Sequence, residues 1–415
     1  MLPALPLSTS TWLFVVASLL SALLVHRGMP AGIARRAAVR VALPLWTLGG
    51  LGHVAWGVGP LLAHYPTSYW GATTGSVTLV LLTALTIGLA ISAVLSRVLE
   101  RTLPGWSEAS SETAEPLPSQ ASVAMVLPND RGLLGRRAVL KAAAVTPPLF
   151  TLGAGTAGFC TAFTPSKIAT RVLTFESLPK PLDGLRILQL SDAHLGFGRQ
   201  LDDVERMLRA LEGASERPDL IVLTGDIAER VSLLPDALRL VAGLKPRCGV
   251  LAALGNHEHL QGVRAARRAF DGSDVRLLVD EGVHVGVDGA ELFIAGIDDP
   301  VIVHTDIRPR LVAPLERALG SSNAGAFRVL LSHRPEAFDL SAERGVELTL
   351  SGHTHGGQIG FAGKSAFEPL YRDGYLWGRY QRGRSRLYTT SGFGAWFPFR
   401  LGCPSEAPLI VLRSA

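Results

Sequence analysis

Cysteine is scarce in this chain, with three residues in 415. None of the three stands in a CxxC or CxxH spacing, so the sequence predicts no cysteine-based zinc site. Charged residues make up only 18% of the chain, and no basic stripe interleaves with aromatic residues. The formal net charge of +5 therefore gives no indication of binding to nucleic acid, and we expect no such partner.

Apolar residues concentrate before residue 165, in four stretches at about residues 11–25, 41–62, 76–95 and 142–163. A helix that crosses a bilayer needs roughly 20 mostly apolar residues. The sequence therefore predicts an N-terminal bundle of about four transmembrane helices. We expect three helices within residues 1–100, a flexible polar linker at 101–135 and the fourth helix within 136–165.

Basic residues are distributed unevenly around these stretches. The segment between the second and third stretches, residues 64–74, has no Lys or Arg. The other two connections are basic, with Arg27, Arg35, Arg36 and Arg40 in the first and Arg97, Arg101, Arg131, Arg136, Arg137 and Lys141 in the last. The positive-inside rule places both basic connections in the cytoplasm. We therefore expect a multi-pass protein of the cell inner membrane, with everything after residue 165 outside the cytoplasm.

The segment RRAVLK, residues 136–141, resembles a twin-arginine export motif, because an apolar stretch follows it. It is read equally well as the basic cytoplasmic flank of the fourth helix. Both interpretations leave the following domain outside the cytoplasm.

From about residue 170 the pattern changes to short apolar runs that alternate with helical periodicity. Leu201, Val204, Leu208 and Leu211 recur at spacings of three and four, which predicts one apolar helix face. Apolar runs at residues 185–190, 220–223, 250–254, 327–331 and 346–350 predict buried strands. Residues 170–415 are therefore expected to form an α/β domain.

Potential metal ligands follow these predicted strands. They are Asp192, His194, Asp226, Asn256, His333, His353 and His355. Ligands bind beyond the carboxyl ends of strands in α/β sheets, so we expect these side chains to converge. Their oxygen and nitrogen donors fit manganese, iron, zinc or magnesium. Seven donors suffice for two adjacent divalent ions with one bridging carboxylate, and a water held between such ions would act as a nucleophile.

Two further side chains are candidates for contact with a substrate. His257 follows Asn256 directly, and we expect it to protonate a leaving oxygen or to stabilise phosphoryl charge. Arg400 is expected to bind a substrate phosphate, with an ordinary salt bridge as the alternative.

The motifs DxH, GD, GNHE, SH and GHTHGGQ together resemble those of the calcineurin-like metallophosphoesterases over about residues 170–415, and most closely a bacterial, membrane-associated branch. The resemblance implies a four-layer α-β-β-α sandwich. It assigns one metal to Asp192, His194, Asp226 and His355, and the other to Asp226, Asn256, His333 and His353. Asp226 would bridge the two ions, and His257 would assist the phosphate. Glu258 stands where the motif more often has Asp.

These observations predict a membrane-anchored dimetal phosphohydrolase that cleaves phosphate mono- or diesters, with envelope lipids as candidate substrates. The expected partners are a phosphoester substrate and membrane lipids. Two alternatives stay open. One is a pyrophosphatase for a UDP-sugar lipid, which would need a cytoplasmic site. The other is a sensor that binds a phosphorylated ligand without turning it over.

Overall fold

The computed structural model describes residues 9–28, 33–58, 65–102, 136–212, 217–301, 306–323, 325–371 and 374–415. The chain divides into two compact units, Met1–Ala157 and Gly158–Ala415, with the boundary inside a helix. Apart from residues 101–102, which end helix α3, the expected linker lies outside the described residues.

The first unit is helical. Its helices are α1 (Thr9–Leu23), α2 (Ile33–Val58), α3 (Tyr65–Thr102) and α4 (Arg136–Ala162), whose last turn belongs to the second unit. Small residues let neighbouring helices approach closely. A Cβ atom on Gly52 of α2 would lie 2.6 Å from the backbone nitrogen of Gly75 in α3. The twin-arginine-like segment forms the first turns of α4.

One of the described helices is long and apolar enough to cross a membrane. It is the part of α3 that runs from Thr74 to Leu99, with a mean hydropathy of 2.4, and a shorter apolar helix covers Leu13–His26. The predicted helices therefore form at all four stretches, but only one of them meets this criterion. The bundle of about four transmembrane helices stays a prediction.

The second unit contains two mixed six-stranded sheets, as the α/β pattern predicts. The first has the order β1-β14-β2-β3-β4-β5, and the second has the order β12-β13-β9-β8-β7-β6. The strands of the first sheet are β1 (Lys167–Phe175), β2 (Arg186–Leu190), β3 (Leu220–Thr224), β4 (Val250–Ala253), β5 (Arg276–Leu277) and β14 (Glu406–Ser414). Those of the second are β6 (Glu281–Val287), β7 (Ala290–Gly296), β8 (Phe327–Leu331), β9 (Leu348–Ser351), β12 (Gly378–Arg382) and β13 (Ser385–Thr389).

Helices and a small hairpin complete the second unit. The helices are α5 (Leu201–Glu212), α6 (Leu234–Ala242), α7 (Asn256–Asp271), α8 (Arg308–Leu319) and α9 (Ala337–Glu343). The hairpin pairs β10 (Gly360–Phe361) with β11 (Lys364–Ser365) in antiparallel fashion.

Alternating side chains of the strands build three apolar clusters. Ile187 of β2 points between the two sheets, where it shares a cluster with Ile294 of the second sheet. Its neighbour Leu188 points the other way and packs in a cluster with α5 and α6, because successive strand residues face opposite sides. A third cluster joins α8 to the outer face of the second sheet through Leu315 and Phe293. The layers therefore run helix, sheet, sheet, helix.

The cluster between the sheets contributes to the stability of this unit. Phe327 is 1% exposed, and its ring meets that of Phe175 edge-on, with 5.0 Å between centroids. We expect Phe327→Ala to lower the free energy of unfolding by about 3–5 kcal/mol, because it leaves a cavity. Denaturant unfolding of the full chain in detergent measures this change.

The control for this prediction is Val172→Ala, at a β1 side chain that is 45% exposed. We expect it to change stability by no more than about 0.5 kcal/mol. Equal effects of the two substitutions would contradict the packing described here.

Candidate metal centre

Every ligand predicted from the sequence lies just beyond the end of a strand. Asp192 and His194 follow β2, Asp226 follows β3, Asn256 follows β4, His333 follows β8, and His353 and His355 follow β9. Strands β2, β3 and β4 run parallel to one another, as do β8 and β9. Their carboxyl ends therefore share one edge of each sheet, which brings these side chains together.

The backbone is strained at five of these positions. The φ angle is 54° at Asp192, 46° at His194, 54° at Asp226, 68° at His353 and 49° at His355. Left-handed conformations of non-glycine residues cost on the order of 1–3 kcal/mol each and cluster at functional sites. Hydrogen bonds to backbone carbonyls hold two of them, from Asp192 N–H to the Gly225 carbonyl and from His194 N–H to the Asp226 carbonyl.

The first group of donors consists of Asp192, His194 and His355, whose ligand atoms all lie within 4.8 Å of one another. The Nε2 atoms of the two histidines are 3.0 Å apart. His355 Nε2 also lies 3.3 Å from Asp192 Oδ1. All three residues are fully buried or nearly so.

The second group consists of Asp226, His333 and His353. His333 Nε2 lies 3.1 Å from Asp226 Oδ2 and 3.2 Å from His353 Nδ1. The same Asp226 Oδ2 is 4.0 Å from His194 Nε2 of the first group. Asp226 therefore stands between the two groups.

These donors fit divalent metal ions. Two imidazole nitrogens that face each other at 3.0 Å share at most one proton, whereas a cation accepts a lone pair from each. Asn256 adds an oxygen donor, since its Oδ1 is buried without a hydrogen-bond partner among the described residues. Such an atom is costly unless a water or an ion binds it. The residues present therefore match the metal requirement that the resemblance stated above implies.

Two of the rings are oriented by acceptors on their far side. His194 Nδ1 lies 2.6 Å from Glu229 Oε1, and His333 Nδ1 lies 2.8 Å from the Thr224 carbonyl oxygen. Each acceptor favours a proton on Nδ1, so Nε2 presents its lone pair to the centre. Metal-binding histidines are commonly held in this way.

The histidines of the centre differ in the direction of their pKa shifts. Burial lowers the pKa of His355 to about 4 despite the charge of Asp192, and burial with the charges of His333 and Arg334 holds the pKa of His353 well below its usual range. Burial also acts to lower the pKa of His333, but the Asp226 charge outweighs it and raises this pKa to about 10. A metal at His333 therefore competes with a proton.

A second carboxylate fixes the backbone around Asp226. Glu258 is 1% exposed and accepts hydrogen bonds from the backbone N–H groups of Asp226, Ile227 and Gly255, at 2.8, 2.7 and 2.9 Å. The loops after β3 and β4 are therefore joined through one side chain. The Asp226 carboxylate in turn accepts from His257 N–H at 2.8 Å.

Glycine is required where these loops meet. A Cβ atom on Gly255 would lie 2.2 Å from Asp226 Oδ1, and one on Gly352 would lie 2.1 Å from Asp192 Oδ2. Both contacts are far inside van der Waals distance, so the absent side chains make room for the ligands.

His257 lies at the edge of the centre and is more open than the other rings. Its side chain is 25% exposed, its Nε2 is 3.9 Å from Asp226 Oδ2, and its Nδ1 is 2.5 Å from Glu229 Oε1. Burial acts to lower the pKa of His257, but the contact with Glu229 and the charge of Asp226 outweigh it and raise the pKa to about 9. Bound cations would act against this rise.

Arg400, which we expected from the sequence to bind a substrate phosphate, lies inside the domain. Its side chain is completely buried, and its Nη2 donates to the carbonyls of Ser391 and Gly394 at 2.5 and 2.6 Å. The same nitrogen lies 3.2 Å from His355 Nδ1. The guanidinium therefore links the loop around Ser391 and Gly394 to His355, and its contact with a substrate phosphate stays a prediction.

Three residues near the centre were missed by the sequence analysis as functional groups. Glu229 joins His194 to His257, Glu258 clamps the Asp226 backbone, and Arg334 lies 3.0 Å from His353 Nε2 while its Nε donates to Asp299 at 2.8 Å. Each follows a predicted ligand by one to three positions in the sequence. Glu258 also occupies the third position of a helix, as in a capping box.

Comparisons with known proteins agree with this geometry. The family model described as calcineurin-like phosphoesterase matches residues 185–357. The uncharacterized metallophosphoesterase YkuE of Bacillus subtilis is 31% identical over 297 residues, which cover 68% of this chain and 98% of that protein. A Danio rerio protein called "transmembrane protein with metallophosphoesterase domain" is 31% identical over 278 residues, covering 62% of this chain and 60% of that protein.

Among solved structures, a 5'-nucleotidase precursor from Thermus thermophilus is similar at 17% identity and a TM-score of 0.35. The match covers 51% of this chain and 49% of that chain, and a similarity this low has no bearing on function.

The two sheets, with ligands gathered at their carboxyl edges, define a metal-dependent hydrolase. The chain belongs to the calcineurin-like metallophosphoesterase family, and the divalent metals that this family uses have a set of donors here.

The role of Glu258 is directly testable. Glu258→Gln places an amide NH₂ against at least one of the three backbone N–H groups, so we expect a loss of about 1–3 kcal/mol in unfolding free energy. Denaturant unfolding of the full chain measures it. The matched control is Glu205→Gln on α5, where the side chain is 42% exposed. A loss at Glu258 no larger than at Glu205 would refute the clamp.

Proposed function

We propose that the protein is a dimetal phosphohydrolase that cleaves phosphate mono- or diesters. One ion would be held by Asp192, His194, Asp226 and His355, and the other by Asp226, Asn256, His333 and His353. The observation that carries this proposal is the position of Asp226, whose Oδ2 approaches a histidine of each donor group, at 4.0 Å for His194 and 3.1 Å for His333. When bound, two such ions would supply Lewis acidity and a water of lowered pKa. The donor set is compatible with manganese, iron, zinc or magnesium.

His257 is the residue we propose to contact the reacting phosphate. The ring is partly exposed and lies beside Asp226, so its Nε2 is in a position to contact a substrate bound at the metal centre. A protonated ring would donate to the leaving oxygen or to a phosphoryl oxygen. Glu229 Oε1 lies 2.5 Å from Nδ1 of this ring and 2.6 Å from Nδ1 of His194. One carboxylate would thus align the proton donor with a metal ligand.

We further propose that the protein is anchored in the cell inner membrane by several helices, with the second unit outside the cytoplasm. The apolar helix Thr74–Leu99 and the relatives called transmembrane proteins support an anchor. The basic connections of the first unit support the orientation. An anchored site favours phosphoesters of the envelope, including lipids, as substrates.

Turnover tests the proposed chemistry. We expect the purified full chain to hydrolyse p-nitrophenyl phosphate or its bis-ester when Mn²⁺ is added. Asp226→Ala removes a donor of both sites and should abolish turnover and lower the bound metal measured by elemental analysis. His257→Ala should keep the metal and lower kcat by about 10²- to 10⁴-fold, the usual contribution of a general acid.

The matched control is His284→Ala on β6, because this half-buried histidine contacts Glu291 and lies outside the donor groups. It should leave kcat unchanged. A wild-type chain that binds Mn²⁺ and a phosphorylated ligand without turnover would instead support the sensor alternative.

Orientation separates the proposal from the UDP-sugar lipid pyrophosphatase. An alkaline phosphatase fusion at the C-terminus should be active, because that enzyme folds only outside the cytoplasm, and a β-galactosidase fusion at the same point should be inactive. The opposite pattern would place the metal centre in the cytoplasm and favour the pyrophosphatase.

A further inference from the structure

Large apolar side chains are exposed on one group of loops of the second unit. Phe361 is 85% exposed, Trp396 is 56%, Phe163 is 39% and Leu401 is 36%. We refer to these four residues as the apolar rim. Exposed apolar residues are ordinary when scattered, but a contiguous set marks a surface that contacts a partner or a membrane.

The rim is contiguous because its three segments are bonded to one another. Gly360 N–H donates to the Leu401 carbonyl at 2.9 Å, which joins the β10–β11 hairpin to the loop that carries Trp396. Arg400 N–H donates to the Gly158 carbonyl at 2.8 Å, which joins that loop to the last turn of α4, next to Phe163. Gly158 packs closely, since a Cβ atom there would lie 2.1 Å from the Phe399 ring.

The charge of these segments suits an anionic or zwitterionic lipid surface. Residues 158–167, 358–367 and 391–405 contain no Asp or Glu. Lys167, at the end of the first segment, and Lys364, within the second, are both exposed. Aromatic side chains with nearby lysines are typical of segments that lie at the membrane interface.

The sequence that precedes the rim indicates that the rim contacts a lipid bilayer. Residues 142–166 contain no charged residue. Most of this run belongs to α4, which ends at Ala162, directly before Phe163 of the rim. Leu149 and Phe150 of the same helix are 64% and 75% exposed. Phe163 directly follows this uncharged segment in the sequence, so a bilayer that the segment enters is the partner nearest to the rim along the chain.

The rim is also connected to the metal centre. Arg400, between Trp396 and Leu401, approaches His355 Nδ1 at 3.2 Å. Cys403 Sγ donates to the His355 carbonyl at 3.5 Å, and Gly394 N–H donates to the Asp192 carbonyl at 2.8 Å. The loop that carries Trp396 therefore packs directly on two ligands of the first donor group.

We propose that the apolar rim inserts into the bilayer interface and that the substrate is an amphiphilic phosphoester. The acyl chains of the substrate stay in the bilayer beside the rim while its phosphate reaches the metal centre. This inference rests on the proposed phosphohydrolase function and adds the class of substrate to it.

The first test compares two phosphomonoesters that share one head group. The full chain is reconstituted in phosphatidylcholine vesicles, with phosphatidic acid in the bilayer or glycerol 3-phosphate in solution. The double variant Phe361→Ser/Trp396→Ser should lose about tenfold or more in kcat/KM for phosphatidic acid, because both side chains contribute apolar burial. Its kcat/KM for glycerol 3-phosphate should stay unchanged. The control Val172→Ser, on a strand outside the rim, should change neither.

The second test does not depend on activity. Acyl-brominated phosphatidylcholine quenches the fluorescence of tryptophans that reach the bilayer. The fluorescence of Trp396 is obtained as the difference between the full chain and its Trp396→Phe variant. This difference should be smaller in vesicles with brominated lipid than in vesicles without it. An equal difference in both kinds of vesicle overturns insertion of the rim.

The outcomes distinguish the inference from the function on which it rests. A wild-type chain that prefers glycerol 3-phosphate to phosphatidic acid, or a double variant that loses both activities equally, overturns the amphiphilic substrate but leaves the phosphohydrolase intact. A chain that hydrolyses no phosphoester overturns the proposed function, while the quenching result still decides whether the rim contacts lipid.

Discussion

The arrangement of this domain depends on one carboxylate, that of Asp226. It approaches histidines from both donor groups, its backbone is left-handed, and its N–H is held by the buried Glu258. The carboxylates of Asp226 and Glu258 lie close together in a buried region, which is tolerated only when cations or hydrogen-bond donors compensate their charge. The histidines and the N–H groups supply part of that compensation, and divalent metals would supply the rest. The loops after β3 and β4 hold the Asp226 carboxylate and its hydrogen-bond donors in place.

Much of the centre could be predicted from the sequence because strand ends and ligands coincide. An apolar run that stops at Asp or His locates both the strand and the ligand, and parallel neighbours then bring such ends together. The six Asp and His residues predicted to be ligands do lie together, and Asn256 is buried at the expected strand end. The role of His257 and the assignment of ligands to two ions stay predictions.

Other features could not be predicted, for two physical reasons. Arg400 looks like a phosphate-binding residue in the sequence, but its burial is decided by contacts with Ser391 and Gly394 that only the folded loop creates. Glu229 and Glu258 act through hydrogen bonds across 35 and 32 positions of sequence, and no local pattern records such partners. The number of membrane spans likewise stays a prediction, because a long apolar run is typical both of spanning helices and of buried ones.

The position of β14 has a consequence for how the domain is made. This strand, formed by residues 406–414, lies inside the first sheet, parallel to β1 and antiparallel to β2. During synthesis, β1 and β2 therefore lack their shared neighbour until residues 406–414 leave the ribosome. Contacts between residues more than 200 positions apart are also slow to form. Newly made chains would expose strand edges for that time, so chaperones would have an interval in which to bind the unfinished domain.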